Sequence, residues 1–380
     1  MSGRRIAKQR RRADVGIIGG GLAGLSLAYH LSQFHDLKIL VVDDGMPKPD
    51  HIWGFWDNGS PHLSLAREHA LSQWWHWQIA EPSNAKVMCG QDYHYYAVSS
   101  GTYMKALAEK CTRANVRFVN GAVMKTSINE DYTRMLMKDE QTITAHHVFD
   151  TVNYIAPYDC MKQHFLGQHI KVSKNTFNPG QLMLMDFRVS QQDGIHFMYV
   201  LPFTEKKAFI ESTVFSRRPH DPEWYREQIA HYIKRSLHLK GEQVTVLKEE
   251  EGVLPMSTVK PKQNEGCIPF GLAANAMRAS SSYAFAQISR QAYDYAKRKT
   301  LIWDLPEAGA DFFERWMDDI MLDVLSKKPE LAPKLFTRMA TKVKADDFAR
   351  FMNGRSGFMP KLKTINAMPS GPFLKSIVRF

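Results

Sequence analysis

The sequence predicts an α/β fold: a Rossmann-type dinucleotide-binding domain, an antiparallel β substrate domain and a helical C-terminal region. Three observations lead there. The stretch "DVGIIGGGLAGLSLAYHLSQ" reads strand, glycine turn, helix, and a second strand, "KILVVDD", follows it. Between residues 180 and 216 three apolar strand-like runs lie close together. From residue 311 onward apolar residues recur at helical spacing.

The chain opens on a basic run, "MSGRRIAKQRRR", expected as a tail through residue 13. Such a run suits an anionic lipid surface or a solvated leader. It has no interleaved aromatics for base stacking, so no nucleic-acid partner is expected. From Val15 to Phe34 no residue carries a formal charge. Five glycines crowd its first half and His30, Ser32 and Gln33 lie near its end, which argues against a membrane span and for a buried strand, a turn and a helix. In the turn, Gly19, Gly21 and Gly24 occupy the G-x-G-x-x-G positions. The first allows the tight turn, the second lets a pyrophosphate approach the backbone, and the third lets helix and strand pack closely. The helix N-terminus then offers N–H groups and a positive dipole to phosphates. Asp43, ending the second strand, suits a ribose hydroxyl. The turn alone does not choose between FAD and NAD.

Aromatic residues are dense from residue 51 to residue 100, in "HIWGFWD", "QWWHW" and "DYHYYAVSS". Trp and Tyr faces suit a flat apolar ligand or a cation held by ring quadrupoles. The runs "GQLMLMDFRV" (180–189), "FMYVLPF" (197–203) and "KAFIESTVFS" (207–216) read as an antiparallel platform, with a turn at Thr204–Lys207. Glu211 sits in the third run among Phe209, Ile210 and Val214. An acid in an apolar wall has its pKa raised toward values useful near neutral pH. Asp186 in "LMDF" reads as a hydrogen-bonded sheet residue. The segment "EEEGVLPMS" (249–257) is expected to turn the chain back, with Glu250 as a second acid, and 271–296 to run strand, turn, helix.

Bulk composition is that of an ordinary globular protein: 380 residues, 44% hydrophobic, 23% charged, net charge +11. Cys89, Cys111, Cys160 and Cys267 are far apart and form no metal-binding spacing, so free thiols in a reducing compartment and no metal are expected.

Taken in order, "GGGLAGLSLA", "ILVVDD", "HIWGFWD", "YYAVSS", "LMDF", "FMYVLPF", "FIESTVFS", "EEEGVLPM", "SSYAF" and "PELAPKLF" resemble the lycopene cyclases, flavoproteins that close rings on linear carotenoids. The resemblance runs from about residue 14 to 355. Ala274-Asn275 stands where the family usually has Gly-Gly, Ser281-Ser282-Tyr283 where it has Thr-Gly-Tyr, and "NYIA" (153–156) where it has an Asp-x-Arg-Gly element. The resemblance implies a fold like that of flavin hydroxylases. Residues 14–50, 98–165 and 260–300 would bind FAD, 51–97 and 166–259 would form the substrate sheet, and 301–380 the helical end. It implies reduced FAD held by Gly19, Gly21, Gly24, Asp43, Ala274 and Asn275, with NAD(P)H as reductant. It further implies a carotenoid against Trp53, Phe55, Tyr199, Tyr283 and Phe285. Glu211 would transfer a proton or stabilise a cation, with Glu250 as the second catalytic candidate. The apolar substrate implies a cytoplasmic protein held peripherally at the inner membrane face, with no obligatory protein partner. The alternatives are a flavin monooxygenase, a divergent isoprenoid enzyme, and a flavin-less carotenoid-binding protein.

Overall fold

The structure is a computed structural model and describes residues 11–262, 264–298, 311–354 and 356–377. Residues 1–10 of the expected basic tail lie outside the described residues. The tail does not extend to residue 13, because the first strand begins at Arg11 and pairs with Ile143 and Thr144.

The first sheet orders its strands Arg117–Asn120, Ile39–Asp43, Arg11–Ile18, Thr142–Asp150, Tyr132–Met137 and Val123–Asn129. The first four run parallel, and Cys267–Pro269 adds a further parallel strand along the end of Thr142–Asp150. Its central strands, Arg11–Ile18 and Ile39–Asp43, are apolar on both faces, as a covered parallel sheet requires. Val15, Ile17 and Val41 pack under the helices Leu22–Phe34 and Phe285–Ala296, while Ile18, Leu40 and Val42 pack with Met135 and Ile143 on the other face.

The second sheet orders Val244–Met256, Met161–Val172, Lys207–Ser216, Ile195–Thr204, Gln181–Asp186, His76–Glu81 and Asn84–Cys89. It is antiparallel except where Gln181–Asp186 runs parallel to His76–Glu81. These two strands are joined by a connection of about a hundred residues, so no hairpin dictates their direction. The expected turn at 249–257 is instead the last half of the edge strand, paired along Met161–Val172. Strand alternation gives each glutamate there a place of its own, which removes any need to turn. The strand expected at 271 is a short 3₁₀ segment, Gly271–Ala274, because Gly271 at φ +66° has already ended the strand Cys267–Pro269.

The two faces of the second sheet are separated by period-2 alternation. Ile210 and Val214 point to the helix Pro222–Ser236. Phe209 and Phe215 point to a three-stranded sheet (Ile52–Asp57, His94–Ser99 and Ser72–Trp74) and to the C-terminal helices. Those helices are Phe312–Lys327, Ala332–Lys342, Ala345–Met352, Phe358–Ala367 and Ser370–Ile377.

Four histidines, His30, His62, His164 and His196, are pushed down to about 4, in each case chiefly by burial. The unfolded chain binds protons at these groups near pH 6.5 and the native state does not. Their contribution to stability is therefore complete above about pH 6.5 and is lost as pH falls toward 4. Thermal unfolding followed across this window should show the midpoint dropping steadily; a flat midpoint would contradict it.

Candidate active site

The glycine turn assigns each glycine its reason. Gly19 has φ +102°, and a Cβ there would lie 2.4 Å from the Thr151 hydroxyl. A Cβ on Gly24 would lie 1.9 Å from the carbonyl oxygen of Gly19, so this glycine sets the approach of helix to strand. Gly21 differs: a Cβ would meet nothing within 4 Å. It borders open space at the start of a helix that has no side-chain cap and no acid in its first turn. That cradle fits a pyrophosphate. Asp43 accepts from the Gly20 N–H at 2.6 Å and from Lys48 at 2.8 Å. Partial burial raises its carboxyl, but Lys48 and the Gly20 and Gly45 N–H groups outweigh this and hold it below the usual range.

The departures from the family's glycines have a conformational explanation. Asn275 (φ +56°) and Ser282 (φ +53°) both sit in the left-handed region. Asn tolerates it well; Ser does so at a cost. Each side chain adds an anchor that glycine lacks: Asn275 Oδ1 accepts from the Val259 N–H at 2.8 Å, and the Ser282 hydroxyl donates to the Pro255 carbonyl at 3.0 Å. Ala274 closes the 3₁₀ segment just before this bend.

Across the second sheet, Glu250, Gly167, Glu211 and Tyr199 lie directly opposite one another on four neighbouring strands. Opposed residues share a face, with Cβ atoms about 5 Å apart, so the two acids flank a glycine that has no side chain to separate them. The Phe209 ring fills that gap; a Cβ on Gly167 would meet it at 2.2 Å. Glu211 is 8% exposed. Burial pushes its carboxyl up to about 8; the Thr213 hydroxyl, 2.5 Å from Oε1, partly offsets this, and the Glu250 charge adds to the rise. At neutral pH the group is thus mostly a carboxylic acid. Glu250 accepts the Ile52 N–H with both oxygens, at 3.0 and 3.1 Å, and His169 stands 3.5 Å away. It ties the start of the three-stranded sheet to the edge strand, which makes it a positioning group in this geometry. Glu249 faces the other way and pairs with Arg226 at 2.8 Å. Asp186 is also on that far face, bound by Arg188 and by the Tyr232 hydroxyl at 2.9 Å.

Tyr199 meets Tyr95 hydroxyl to hydroxyl at 2.8 Å. Gly54 makes room for the pair, since a Cβ there would lie 2.0 Å from the Tyr95 oxygen. Burial raises both phenols and the Glu211 charge adds to it. Tyr283 joins this side, its oxygen accepting the Trp56 N–H at 3.1 Å. Three of the expected substrate contacts lie elsewhere. Trp53 and Phe55 alternate with Gly54 and Trp56 and so point to the opposite face of their strand. They pack on Phe285 at 5.3 and 5.0 Å, and Phe55 is fully buried. Here these aromatics join the core between the three-stranded sheet and the helices. Thr213, Tyr95, Gly54 and Gly167 do not stand out in the sequence. Alternation within "FIESTVFS" alone puts Thr213 on the face of Glu211; the other three depend on pairings between distant strands.

A Rossmann-type domain joined to a broad second sheet, with a glycine cradle at one and a buried acid on the other, is a fold shared with solved flavin-dependent proteins. A flavin-dependent brominase superposes with TM-score 0.67 at 12% identity, covering 97% of this chain and 99% of that one. A geranylgeranyl bacteriochlorophyll reductase-like protein from Thermoplasma acidophilum gives 0.60 at 12% identity, covering 97% and 98%. At such identities the likeness concerns the fold. The chain belongs to the lycopene cyclase family, whose sequence pattern matches residues 14–376. Its relatives include the lycopene beta-cyclase of Pantoea ananas, 28% identical over 64% of this chain and 62% of the relative. The capsanthin/capsorubin synthase of Capsicum annuum is 27% identical over 73% of this chain. The chain spans 58% of the length of that plant relative.

Proposed function

We propose that the protein closes β-ionone-type rings at the ends of lycopene by non-redox acid–base catalysis, with reduced FAD bound at the glycine turn. The observation that carries this reading is Glu211: a buried carboxylic acid on a face lined by Phe209, Tyr199 and Tyr95. Its proton adds to the terminal double bond, the next alkene attacks the cation, and a ring proton leaves. Aromatic faces favour the passing cation through their quadrupoles, and burial keeps water from capturing it. Gly19, Gly21, Gly24 and Asp43 would hold the cofactor, with Ala274 and Asn275 bordering it. The chemistry reduced FAD supplies when bound is an electron-rich ring system that favours a nearby cation, and NAD(P)H is the reductant that maintains it. Incubation with lycopene, FAD and NADPH without oxygen tests the reading. It predicts cyclic carotene. A product carrying oxygen, formed only in air with stoichiometric NADPH, would replace cyclisation with monooxygenation.

The same reading includes peripheral attachment to the inner membrane face. Among the described residues no helix is long and apolar enough to cross a membrane. Phe312, Phe358 and Met359 are 78%, 71% and 56% exposed. They share one end of the helical region, where Lys361 pairs with Asp311 and the Ser356 N–H donates to Glu314 at 3.1 Å. Such a patch suits insertion among lipid headgroups. Phe312→Ser with Phe358→Ser should weaken binding to anionic vesicles, and deletion of residues 2–10 or added salt should weaken it further. Binding indifferent to all three changes would contradict attachment by this end.

A further inference from the structure

The Glu211 carboxyl has two oxygens, and the structure treats them differently. Oε1 accepts the Thr213 hydroxyl at 2.5 Å. Thr213 is fully buried, two residues along the same strand and on the same face, and that bond is the only one its hydroxyl makes among the described residues. No described side chain or backbone group hydrogen-bonds Oε2. The flanking titratable groups are Glu250 and His169 on one side, Tyr199 on the adjoining strand, and Tyr95 with Tyr283 from above. None of them makes a hydrogen bond to Glu211.

We propose that Thr213 is a positioning residue for Glu211: by donating to Oε1 it fixes the plane of the carboxyl group and confines the transferable proton to Oε2. In the neutral acid, Oε1 is the carbonyl oxygen and accepts; the proton must then sit on Oε2, the oxygen free to face substrate. When the Oε2–H bond breaks, its proton forms a C–H bond with the π electrons of the terminal alkene. The electron pair left on the carboxylate is stabilised by the Thr213 hydroxyl. Loss of a ring proton to Oε2 restores the acid, whose O–H exchanges with solvent between turnovers, so nothing is oxidised or reduced. Without the hydroxyl the carboxyl would rotate, dividing the proton between two oxygens, and the carboxylate would lose its donor.

This inference rests on Glu211 being the proton donor, and its test separates the two ideas. Thr213→Val keeps the shape of the side chain and removes the hydroxyl. A hydrogen bond to a charged group is worth about 1.5–3 kcal/mol, or roughly 10- to 100-fold in rate. Turnover should fall by about that factor with KM little changed, and Thr213→Ser should restore most of it. A second readout needs no activity. The native carboxyl binds a proton more tightly than the unfolded one, so wild type loses stability relative to Glu211→Gln as pH rises from about 4.5 through the native pKa. In a Thr213→Val background that loss should continue to higher pH, because the ionised form has lost its donor. Wild-type turnover in Thr213→Val, or a Ser variant as poor as Val, would overturn the positioning role. An unmoved stability titration would do the same. A shifted titration in a protein that forms no rings would uphold the Thr213–Glu211 coupling and overturn the cyclase reading instead.

Discussion

Glu211→Gln is expected to lower ring formation from lycopene by at least about 10²-fold, the low end of what a positioned acid–base group contributes. Glutamine has nearly the same shape, so the apolar wall and the Phe209 contact survive, while the acidic proton does not. The fold should tolerate the change and gain stability at alkaline pH. Burial holds this carboxyl protonated up to about 8, and the cost of ionising it rises with pH in wild type and vanishes in the variant. FAD content should be unchanged, because Glu211 is on the second sheet and the glycine turn on the first. Loss of ring formation together with loss of flavin would point to a folding defect, and an equally active variant would return Glu211 to a purely structural role.

The second large effect concerns the cradle. In Gly21→Val the added methyl groups enter space where no protein atom lies within 4 Å of the new Cβ. The apoprotein should therefore fold, with an unfolding midpoint near that of wild type, and lose its flavin absorbance. Gly24→Val makes the contrast. Its Cβ would stand 1.9 Å from the Gly19 carbonyl oxygen, inside a helix–strand contact that cannot open without moving the core, so this variant should be poorly soluble. Equal flavin content in Gly21→Val and wild type would remove the pyrophosphate from this turn. Equal behaviour of the two variants would remove the distinction between a ligand-facing and a packing glycine.

The contrast also marks what the sequence can disclose. The turn is legible because its geometry is local: a strand, three glycines at fixed spacing and a helix specify one another within about twenty residues. The same holds for the hairpin carrying Glu211, where alternation separates Phe209, Glu211 and Thr213 from Ile210 and Val214. The surroundings of Glu211 are not legible in this way. Glu250 reaches the same row only because the edge strand Val244–Met256 and the strand of Glu211 both pair with Met161–Val172 at Gly167, and Tyr95 reaches Tyr199 only because a separate sheet packs over this face with Gly54 at the contact. Such neighbours are set by long-range pairing, which leaves no periodic trace. The aromatic box is divided between faces for a related reason. Trp53 and Phe55 have the composition of a ligand wall, but alternation gives Gly54 and Trp56 the side that meets Tyr95, and composition does not record which face of a strand is covered. The run Glu249–Glu251 reads as part of a turn with Glu250 as a second acid, and three charges in sequence do not say which of them is covered. In the sheet the middle one is buried against the Ile52 N–H, and its neighbours project from the other face.

Proton delivery to carbon by a buried acid is the core of the account, and isotope content reads it most directly. Purified protein given lycopene, FAD and NADPH in D₂O without oxygen should yield a cyclic product containing one deuterium per ring, with NADPH used only to keep the flavin reduced. Rings formed without deuterium, or NADPH consumed in proportion to product, would contradict it.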